Sequence, residues 1–418
     1  MIDERMSAPS RAIRAAWGCA DRLPDAAGRL TRIEGRFRTV VEAWGYDEVS
    51  TSIVERCDAM RAGWIDSDWF IQSLGPNGEM GALRPDLTAP IARLVATRLR
   101  DAPNPLRLFY ADSVYRRPER SGGGSIETRQ AGIELIGCPS EIADAEAVAA
   151  AIEALAAVGL DGFQLHLGQI GFFEGLVEEA GLAVDEVRAI REQIDRKDRD
   201  GLSRVLAACN LPGAKARQLD RMLTLIGGDE VIDRALDLAD NDRSEAAARN
   251  LKAIIETLAA FGVADNVVVD LTEVRGFGYY TGLMVEAYVP VAGAAILRGG
   301  RYDDLVNRFG DPRPAVGWAF DLDRILPLVA GDADLAPPRT DLLVRFDTAN
   351  RGRAYRAARR LRRRGRRVEL EVARRTEAES LAYARQKGIR AVIEVGANGV
   401  RRLPNRAPTG QVKEGCAA

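Results

Sequence analysis

Residues 114–137, VYRRPERSGGGSIETRQAGIELIG, decide the fold of this chain. Apolar and polar residues alternate on both sides of a glycine-rich middle, which predicts two antiparallel strands joined by a long hairpin loop. Gln130 and Glu134 lie four residues apart on the second strand, so their side chains point to the same face. Two polar side chains on one face, among small and aliphatic neighbours, favour a ligand site over a packed core.

This segment resembles the second signature motif of histidyl-tRNA synthetase and aligns with it without a gap. The resemblance implies that Arg116 grips a ligand carboxylate and α-phosphate, and that Gln130 and Glu134 hold the amino end of histidine. The loop between them departs from the family. Pro118 replaces a Glu that helps to bind ATP, and residues 121–127 replace an arginine-rich run. Glycines and a Glu cannot neutralise triphosphate or acceptor-stem phosphates as arginines do.

Two further segments match the family's amino-acid site in order and spacing. Residues 83–90, LRPDLTAP, resemble its first substrate loop, and residues 274–282, VRGFGYYTG, resemble its second histidine motif. The resemblance implies a histidine-binding set of Asp86, Thr88, Arg116, Gln130, Glu134, Arg275, Tyr279 and Tyr280.

The residue types also suit an amino-acid ligand in themselves. Its ammonium needs oxygen acceptors, which Asp86, Gln130 and Glu134 offer, and its carboxylate needs a cation such as Arg116. A tyrosine phenol can hydrogen-bond an imidazole nitrogen. Taken singly, each of these residues could equally be an ordinary surface or packing residue.

Other positions of the resemblance depart from the family. Gly278 stands in place of an acidic residue, and Arg298 replaces the first Gly of a glycine-rich strand turn. Asp321 replaces a Gly of the third signature motif, which places a carboxylate near the expected ATP phosphates, although Arg324 is retained. In the weaker first motif, Ser52 replaces a Pro.

The rest of the core mixes helices and strands. The periodicity predicts helices over residues 25–44 and 140–158 and strands over residues 46–55 and 163–167. Residues 172–261 have helical periodicity and are predicted to be an all-helical insertion. No βαβα rhythm is present, which favours an antiparallel-dominated α+β core over a Rossmann sheet. The resemblance implies the class II aminoacyl-tRNA synthetase fold, a sheet flanked by helices.

The chain is predicted to contain two domains. The first is a synthetase-like core over residues 1–330, and the second is a small α/β domain over residues 340–410 that resembles a reduced anticodon-binding domain. The second contains a basic run, RRLRRRGRR, at residues 359–367. The run could supply phosphate contacts, but no aromatic residues interleave it, so a solvated helix end is the favoured interpretation.

Composition restricts the remaining possibilities. The net charge of −2 gives no overall drive toward nucleic acid. Five scattered cysteines indicate reduced thiols, and no apolar run is long enough to span a membrane, so a cytoplasmic location is expected. The single histidine, His166, excludes multi-histidine metal sites and is predicted to be an ordinary strand residue.

An intact amino-acid pocket beside a damaged nucleotide site resembles the synthetase-like regulatory subunits of ATP phosphoribosyltransferase. That resemblance implies a non-catalytic chain, without cofactor or metal, that binds histidine for feedback control of the first step of histidine biosynthesis. It also implies a homodimer through residues 44–55 and a hetero-octamer with a short-form catalytic subunit, without tRNA. Two alternatives stay open: an active histidyl-tRNA synthetase using ATP, Mg²⁺ and tRNA, and a pseudo-synthetase that serves another enzyme.

Overall fold

The computed structural model describes residues 15, 18–63, 70–117, 125–178, 180–274 and 279–404. The chain divides into two compact units, Met1–Leu335 and Ala336–Ala418. Among the described residues, no helix is both long enough and apolar enough to cross a bilayer.

The first unit is built on a large sheet and a small one. Its described strands are, in chain order, β1 (Asp47–Glu48), β2 (Val54–Arg56), β3 (Ile71–Leu74), β4 (Met80–Leu83), β5 (Leu106–Tyr115), β6 (Glu127–Ile136), β7 (Gln164–Gln169), β8 (Ile226–Gly227), β9 (Val267–Asp270), β10 (Leu283–Tyr288), β11 (Leu297–Arg301) and β12 (Ala315–Asp321). In the described residues, the large sheet has the order β1-β5-β6-β12-β11-β10-β7-β9-β8, and the small sheet has the order β2-β4-β3. Only the β1–β5 and β7–β9 pairs of the large sheet are parallel in this part of the chain, so the predicted antiparallel-dominated α+β architecture is confirmed.

Helices cover both faces of the large sheet. Those described in the first unit are α1 (Pro24–Ala43), α2 (Cys57–Gly63), α3 (Thr88–Arg98), α4 (Glu141–Ala157), α5 (Ile170–Glu178), α6 (Val184–Asp195), α7 (Arg199–Ala208), α8 (Gly213–Met222), α9 (Glu230–Leu238), α10 (Asp242–Phe261) and α11 (Leu322–Leu328). On one face, Phe37 of α1 packs edge-on against Phe109 and Phe320, with ring centroids 6.0 and 5.7 Å away. Alanine-rich α4 lies close enough for Ala147 O to accept a 2.7 Å hydrogen bond from the Trp318 indole. This packing leaves the opposite face of β5, β6 and β12 for α3 and the ligand-facing residues.

The prediction of one strand over residues 46–55 is wrong. β1 pairs with β5 in the large sheet, whereas β2 pairs with β4 in the small sheet. Buried Arg84 provides hydrogen-bond donors to the backbone where the chain passes between the two sheets. Its Nη1 donates to Thr51 O at 2.7 Å, and its backbone N donates to Ile53 O at 3.0 Å. A sequence pattern cannot show that an alternating stretch changes sheets in its middle.

The region predicted as an all-helical insertion is helical in large part, with one exception. Helices α5 to α10 occupy it, but the two-residue strand β8 pairs with β9 at the edge of the large sheet. The helical region is thus joined to the core by backbone hydrogen bonds, and a strand of two residues has too little periodicity to be predicted.

The second unit contains β13 (Leu342–Phe346), α12 (Arg351–Arg362), β14 (Val368–Leu370), α13 (Glu377–Gln386), β15 (Ala391–Gly396) and β16 (Gly399–Leu403). The sheet order is β14-β13-β15-β16, with β13 parallel to both β14 and β15. The elements follow the order β-α-β-α-β, and a further strand, β16, forms an antiparallel hairpin with β15. Separate apolar clusters lie on the two faces of the sheet, around Leu343 and around Val344.

Candidate functional site

The β5–β6 hairpin brings the first two predicted ligand residues together. Strand β6 lies between β5 and β12, with Gln130 opposite Asp321 and Glu134 opposite Gly317. Both β6 side chains point to the face covered by α3, and they are 8% and 1% exposed. The motif's alternation therefore places two polar side chains in the interior.

Asp86 reaches the same place from the loop between β4 and α3. Its Oδ1 accepts a 3.3 Å hydrogen bond from the Ala89 backbone, in the first turn of α3. Arg116 Nε donates to Pro85 O at 2.5 Å, which holds the guanidinium near the Asp86 carboxylate. Burial raises the pKa of Asp86 to about 6, and the positive charge of Arg116 opposes that rise.

Three oxygen atoms in this pocket are buried and have no hydrogen-bond partner among the residues that the structure describes: Asp86 Oδ2, Gln130 Oε1 and Glu134 Oε1. A buried acceptor without a donor costs about 1–3 kcal/mol, so such atoms are rare in folded proteins. Three of them in one pocket are explained by a ligand that supplies several donors, such as the three N–H groups of an ammonium.

Glu134 lies deepest and is surrounded by hydroxyl groups. Its Oε2 accepts a hydrogen bond from the Tyr302 phenol, and the Thr88 hydroxyl lies near the same carboxyl group. Burial raises the pKa of Glu134 to about 8, although both hydroxyls act to lower it. A carboxyl group with a pKa raised in this way by burial takes up a proton more readily at neutral pH, and a cation beside it would favour the ionised form.

Two glycines make this arrangement possible because strands β6 and β12 approach closely. A Cβ added to Gly317 would overlap Glu134 Oε2 and Ile133 O. A Cβ added to Gly132 would lie 2.6 Å from the Tyr110 hydroxyl. The absence of side chains at these positions leaves room for Glu134 and Tyr110 on the sheet face.

Aromatic side chains form a further wall. The rings of Tyr279 and Tyr280 lie 4.9 Å apart, and Tyr279 meets Tyr302 edge-on at 5.9 Å. The following residue is tied to the sheet by a 2.8 Å hydrogen bond from Thr281 N to Arg301 O. Arg301 is itself fixed by a buried ion pair of 2.8 Å to Asp144 of α4.

The structure thus brings together seven of the eight residues in the predicted histidine-binding set, namely Asp86, Thr88, Arg116, Gln130, Glu134, Tyr279 and Tyr280. Arg275 lies outside the described residues. Sequence reasoning missed Tyr110 and Tyr302, which are both buried against the pocket. Tyr302 follows the glycine-rich strand turn that begins at Arg298, but only the contact with Glu134 gives it a role.

The charged residues at the predicted nucleotide side are paired within the chain. Asp321 caps α11 by accepting from Arg324 N at 3.1 Å, and its carboxylate also binds Arg324 Nε at 3.0 Å. Arg298 on β11 donates to Glu286 on β10 at 3.0 Å. The retained Arg324 therefore faces a carboxylate of its own chain. The substitutions Pro118, Gly122–Gly124 and Gly278 lie outside the described residues.

His166 belongs to a separate charged cluster. Its Nδ1 lies 2.9 Å from Asp270 Oδ2, and ligand atoms of His166, Asp270 and Glu273 all lie within 4.8 Å of one another. The Lys197 ammonium is 2.9 Å from the same Asp270 oxygen and 3.6 Å from Glu273. A cationic side chain of the protein thus takes the position that a metal ion would need, and the prediction of an ordinary strand residue missed this network.

Together, the sheet, its pocket of unpartnered acceptors and its internally paired nucleotide side define a class II synthetase-like protein whose catalytic half has been altered. The family model described as histidyl-tRNA synthetase matches residues 18–325. The chain is 38% identical to the ATP phosphoribosyltransferase regulatory subunit of Geobacter sulfurreducens, over 91% of this chain and 87% of that protein. It is also 38% identical to the protein of the same name from Symbiobacterium thermophilum, over 94% and 99% of the two chains.

A solved structure gives the same result. The Bacillus halodurans protein described as an ATP phosphoribosyltransferase regulatory subunit/histidyl-tRNA synthetase superposes with a TM-score of 0.83 at 29% identity, over 92% of this chain and 98% of that one. The chain belongs to the family of ATP phosphoribosyltransferase regulatory subunits. The resemblance found in its sequence is thereby confirmed, and with it a non-catalytic role in histidine biosynthesis.

Proposed function

We propose that this chain binds histidine in the β6 pocket and passes that signal to the catalytic subunit of ATP phosphoribosyltransferase. The observation that carries the proposal is the set of three buried acceptors to which no described residue donates, Asp86 Oδ2, Gln130 Oε1 and Glu134 Oε1. They match the number and kind of groups that an amino acid's cationic end requires.

The remaining residues complete the recognition of histidine. Arg116 and Arg275 provide positive charge for the carboxylate, and Tyr279 and Tyr280 provide phenols for the imidazole. Arg116 is partly buried, and this burial lowers the pKa of its guanidinium while the Asp86 carboxylate acts to raise it. Such a guanidinium binds a carboxylate more strongly than a solvated one does.

The altered nucleotide side supports regulation rather than adenylation. Adenylate formation depends on fixed positive charge where negative charge develops on phosphate. In this chain the Arg324 guanidinium binds Asp321, and Arg298 binds Glu286. A triphosphate bound to Arg324 would have to displace Asp321, so aminoacylation of tRNA is not expected.

The family name implies a partner that makes phosphoribosyl-ATP from ATP and phosphoribosyl pyrophosphate. Histidine would then act as the end-product inhibitor, with a coupling of about 1–3 kcal/mol between the two subunits' sites. We expect a symmetric hetero-octamer of four regulatory and four catalytic chains, since a two-fold dimer offers equivalent docking surfaces.

The small sheet supports a homodimer through the segment around residues 44–55. Large apolar side chains are exposed on or beside it, with Ile53 at 49%, Val54 at 48%, Leu74 at 73% and Met80 at 48%. Apolar residues grouped in this way on a soluble surface mark an interaction site. A matching sheet of a second copy would cover them.

Reconstitution tests the proposal. The purified chain is mixed with a short-form catalytic subunit, and light scattering and phosphoribosyl-ATP formation are measured with and without histidine. We expect a larger assembly, catalytic activity that needs this chain, and inhibition by histidine. A chain that stays apart from the catalytic subunit, or that supports pyrophosphate exchange with histidine, would contradict it. Cell fractionation tests the expected cytoplasmic location.

A further inference from the structure

The two units of the chain differ strongly in charge. Residues 336–418 contain 21 Lys and Arg and 8 Asp and Glu, a net charge of +13. Residues 1–335 contain 38 Lys and Arg and 53 Asp and Glu, a net charge of −15. The nearly neutral whole therefore conceals a strongly basic unit, and 19 of its 21 cationic residues are arginines.

Helix α12 concentrates this charge on one side. Ala354 and Ala358 are buried against the sheet of the second unit. On the opposite face of α12 and of the turn that follows it, five exposed arginines have the spacing i, i+3, i+4, i+7 and i+8, which forms a continuous stripe. They are Arg356, Arg359, Arg360, Arg363 and Arg364.

The stripe is not used by the unit's own structure. Neighbouring arginines are held, since Arg353 donates to Gly396 O at 3.1 Å and Arg362 donates to Val368 O at 2.7 Å. Within the described part of this unit, the five stripe side chains have neither a carboxylate nor a carbonyl partner. Five like charges close together repel each other and destabilise the helix, so an anionic partner would reduce this repulsion.

The chemistry of the stripe distinguishes between possible partners. A protein interface needs an apolar centre, and the only large exposed aromatic or aliphatic side chain on α12 is Tyr355. Insertion into a lipid surface needs a free apolar helix face, whereas that face of α12 is buried in the unit. Single-stranded nucleic acid needs aromatic platforms between the cations, and the stripe has none. The planar guanidinium group of arginine matches the geometry of phosphate oxygens, which favours a partner rich in phosphate groups.

We propose that the arginine face of α12 binds the phosphate backbone of duplex nucleic acid, without reading its sequence. The binding consists of guanidinium–phosphate contacts from the stripe, which position the duplex but carry no base specificity. This binding does not depend on the histidine pocket or on the catalytic partner. Its test is therefore independent of the proposed regulatory function.

Fluorescence anisotropy with the full-length chain tests the proposal. The probes are a mixed-sequence duplex DNA, a duplex RNA of the same sequence, and the separated single strands, each titrated across a series of salt concentrations. Five phosphate contacts predict that the logarithm of the DNA binding constant falls against the logarithm of salt with a slope of about −4 to −5. Both duplexes should bind more tightly than either single strand.

The decisive comparison uses two triple variants of equal charge. Arg356→Gln, Arg360→Gln and Arg363→Gln together should weaken duplex binding at least tenfold and reduce the slope by about 2–3. Arg374→Gln, Arg385→Gln and Arg402→Gln remove the same charge elsewhere on the unit and should retain most of the binding. All six side chains are exposed, so both variants should keep the circular dichroism spectrum of the original chain.

Four results would overturn the proposal. They are the absence of salt-dependent binding to any duplex, a preference for single strands, equal losses in the two triple variants, and binding to anionic lipid vesicles but not to duplexes.

Discussion

On strand β6 and beside it, Asp86, Gln130 and Glu134 present buried oxygen atoms without partners in the described part of the chain, whereas at the start of α11 Asp321 and Arg324 bind each other. The buried oxygen atoms without donors destabilise the fold until a ligand supplies hydrogen-bond donors. The Asp321–Arg324 pair is satisfied within the chain and gains little from a ligand. We infer from this difference that the oxygen atoms around β6 can bind a ligand, whereas the charges at α11 are already paired within the protein.

The largest expected effect comes from filling the space behind Glu134. Gly317→Ala would force Glu134 to move, because the new methyl group overlaps its Oε2. We expect histidine binding to fall more than a hundredfold and the free energy of unfolding to drop by about 1–3 kcal/mol. Calorimetry and urea denaturation measure the two effects. Gly35→Ala, where a Cβ meets nothing within 4 Å, is the control and should leave histidine binding unchanged.

Removing one acceptor should have the next largest effect. Glu134→Ala or Gln130→Ala deletes a partner of the ligand's charged group, which is worth about 1.5–3 kcal/mol. That corresponds to a tenfold to hundredfold loss of histidine affinity, with the fold retained. The exposed Glu42→Ala is the matched control and should bind normally. If both pocket variants kept their affinity, histidine would have to bind elsewhere.

The raised pKa of Glu134 predicts a smaller, pH-dependent effect. Below about pH 8 the empty pocket holds a proton on Glu134, and binding of the ligand's cationic end must release it. Affinity should therefore rise about fivefold between pH 7 and pH 8 and level off above the pKa. Titration calorimetry in buffers of different ionisation enthalpy would detect the released proton. Glu134→Gln should flatten the pH profile, and a wild-type profile that is already flat would exclude this coupling.

The smallest effect is expected on the nucleotide side. Asp321→Gly frees Arg324 but leaves the Arg298–Glu286 pair and the altered hairpin loop in place. We expect no pyrophosphate exchange with histidine and at most a severalfold gain in MgATP binding. Recovery of adenylation by this single change would show that the nucleotide side is closed by one residue alone.

The sequence predicted the fold class, and which residues would lie near one another, better than it predicted the hydrogen bonds that hold those residues in position. Alternation along β6 was sufficient to place Gln130 and Glu134 on one face, because the period of a strand is local information. The Tyr302–Glu134 hydrogen bond joins residues 168 positions apart, and no local pattern encodes it. The same limit explains the missed network around His166, whose partner Asp270 is 104 positions away.

Elements were mispredicted where tertiary contacts determine the local structure. The segment 46–55 has the alternation of one strand, yet its two ends pair in different sheets. Arg84 hydrogen-bonds the backbone between them at Thr51. By contrast, the interpretation of the basic run at residues 359–367 as a solvated helix end agrees with the structure, in which α12 ends at Arg362 and the arginines of the run are exposed. The pattern of the run showed the charge, but only the packing of Ala354 and Ala358 shows that the neighbouring arginines of α12 form a single free face.

One measurement tests the central contrast most directly: titration calorimetry of the isolated chain with histidine and, separately, with MgATP. The account predicts that histidine binds with one site per chain and that MgATP binds weakly or without measurable heat. Tight binding of MgATP with no binding of histidine would contradict it, because the unpartnered acceptors would then have no amino-acid ligand and the paired arginines would not have closed the nucleotide side.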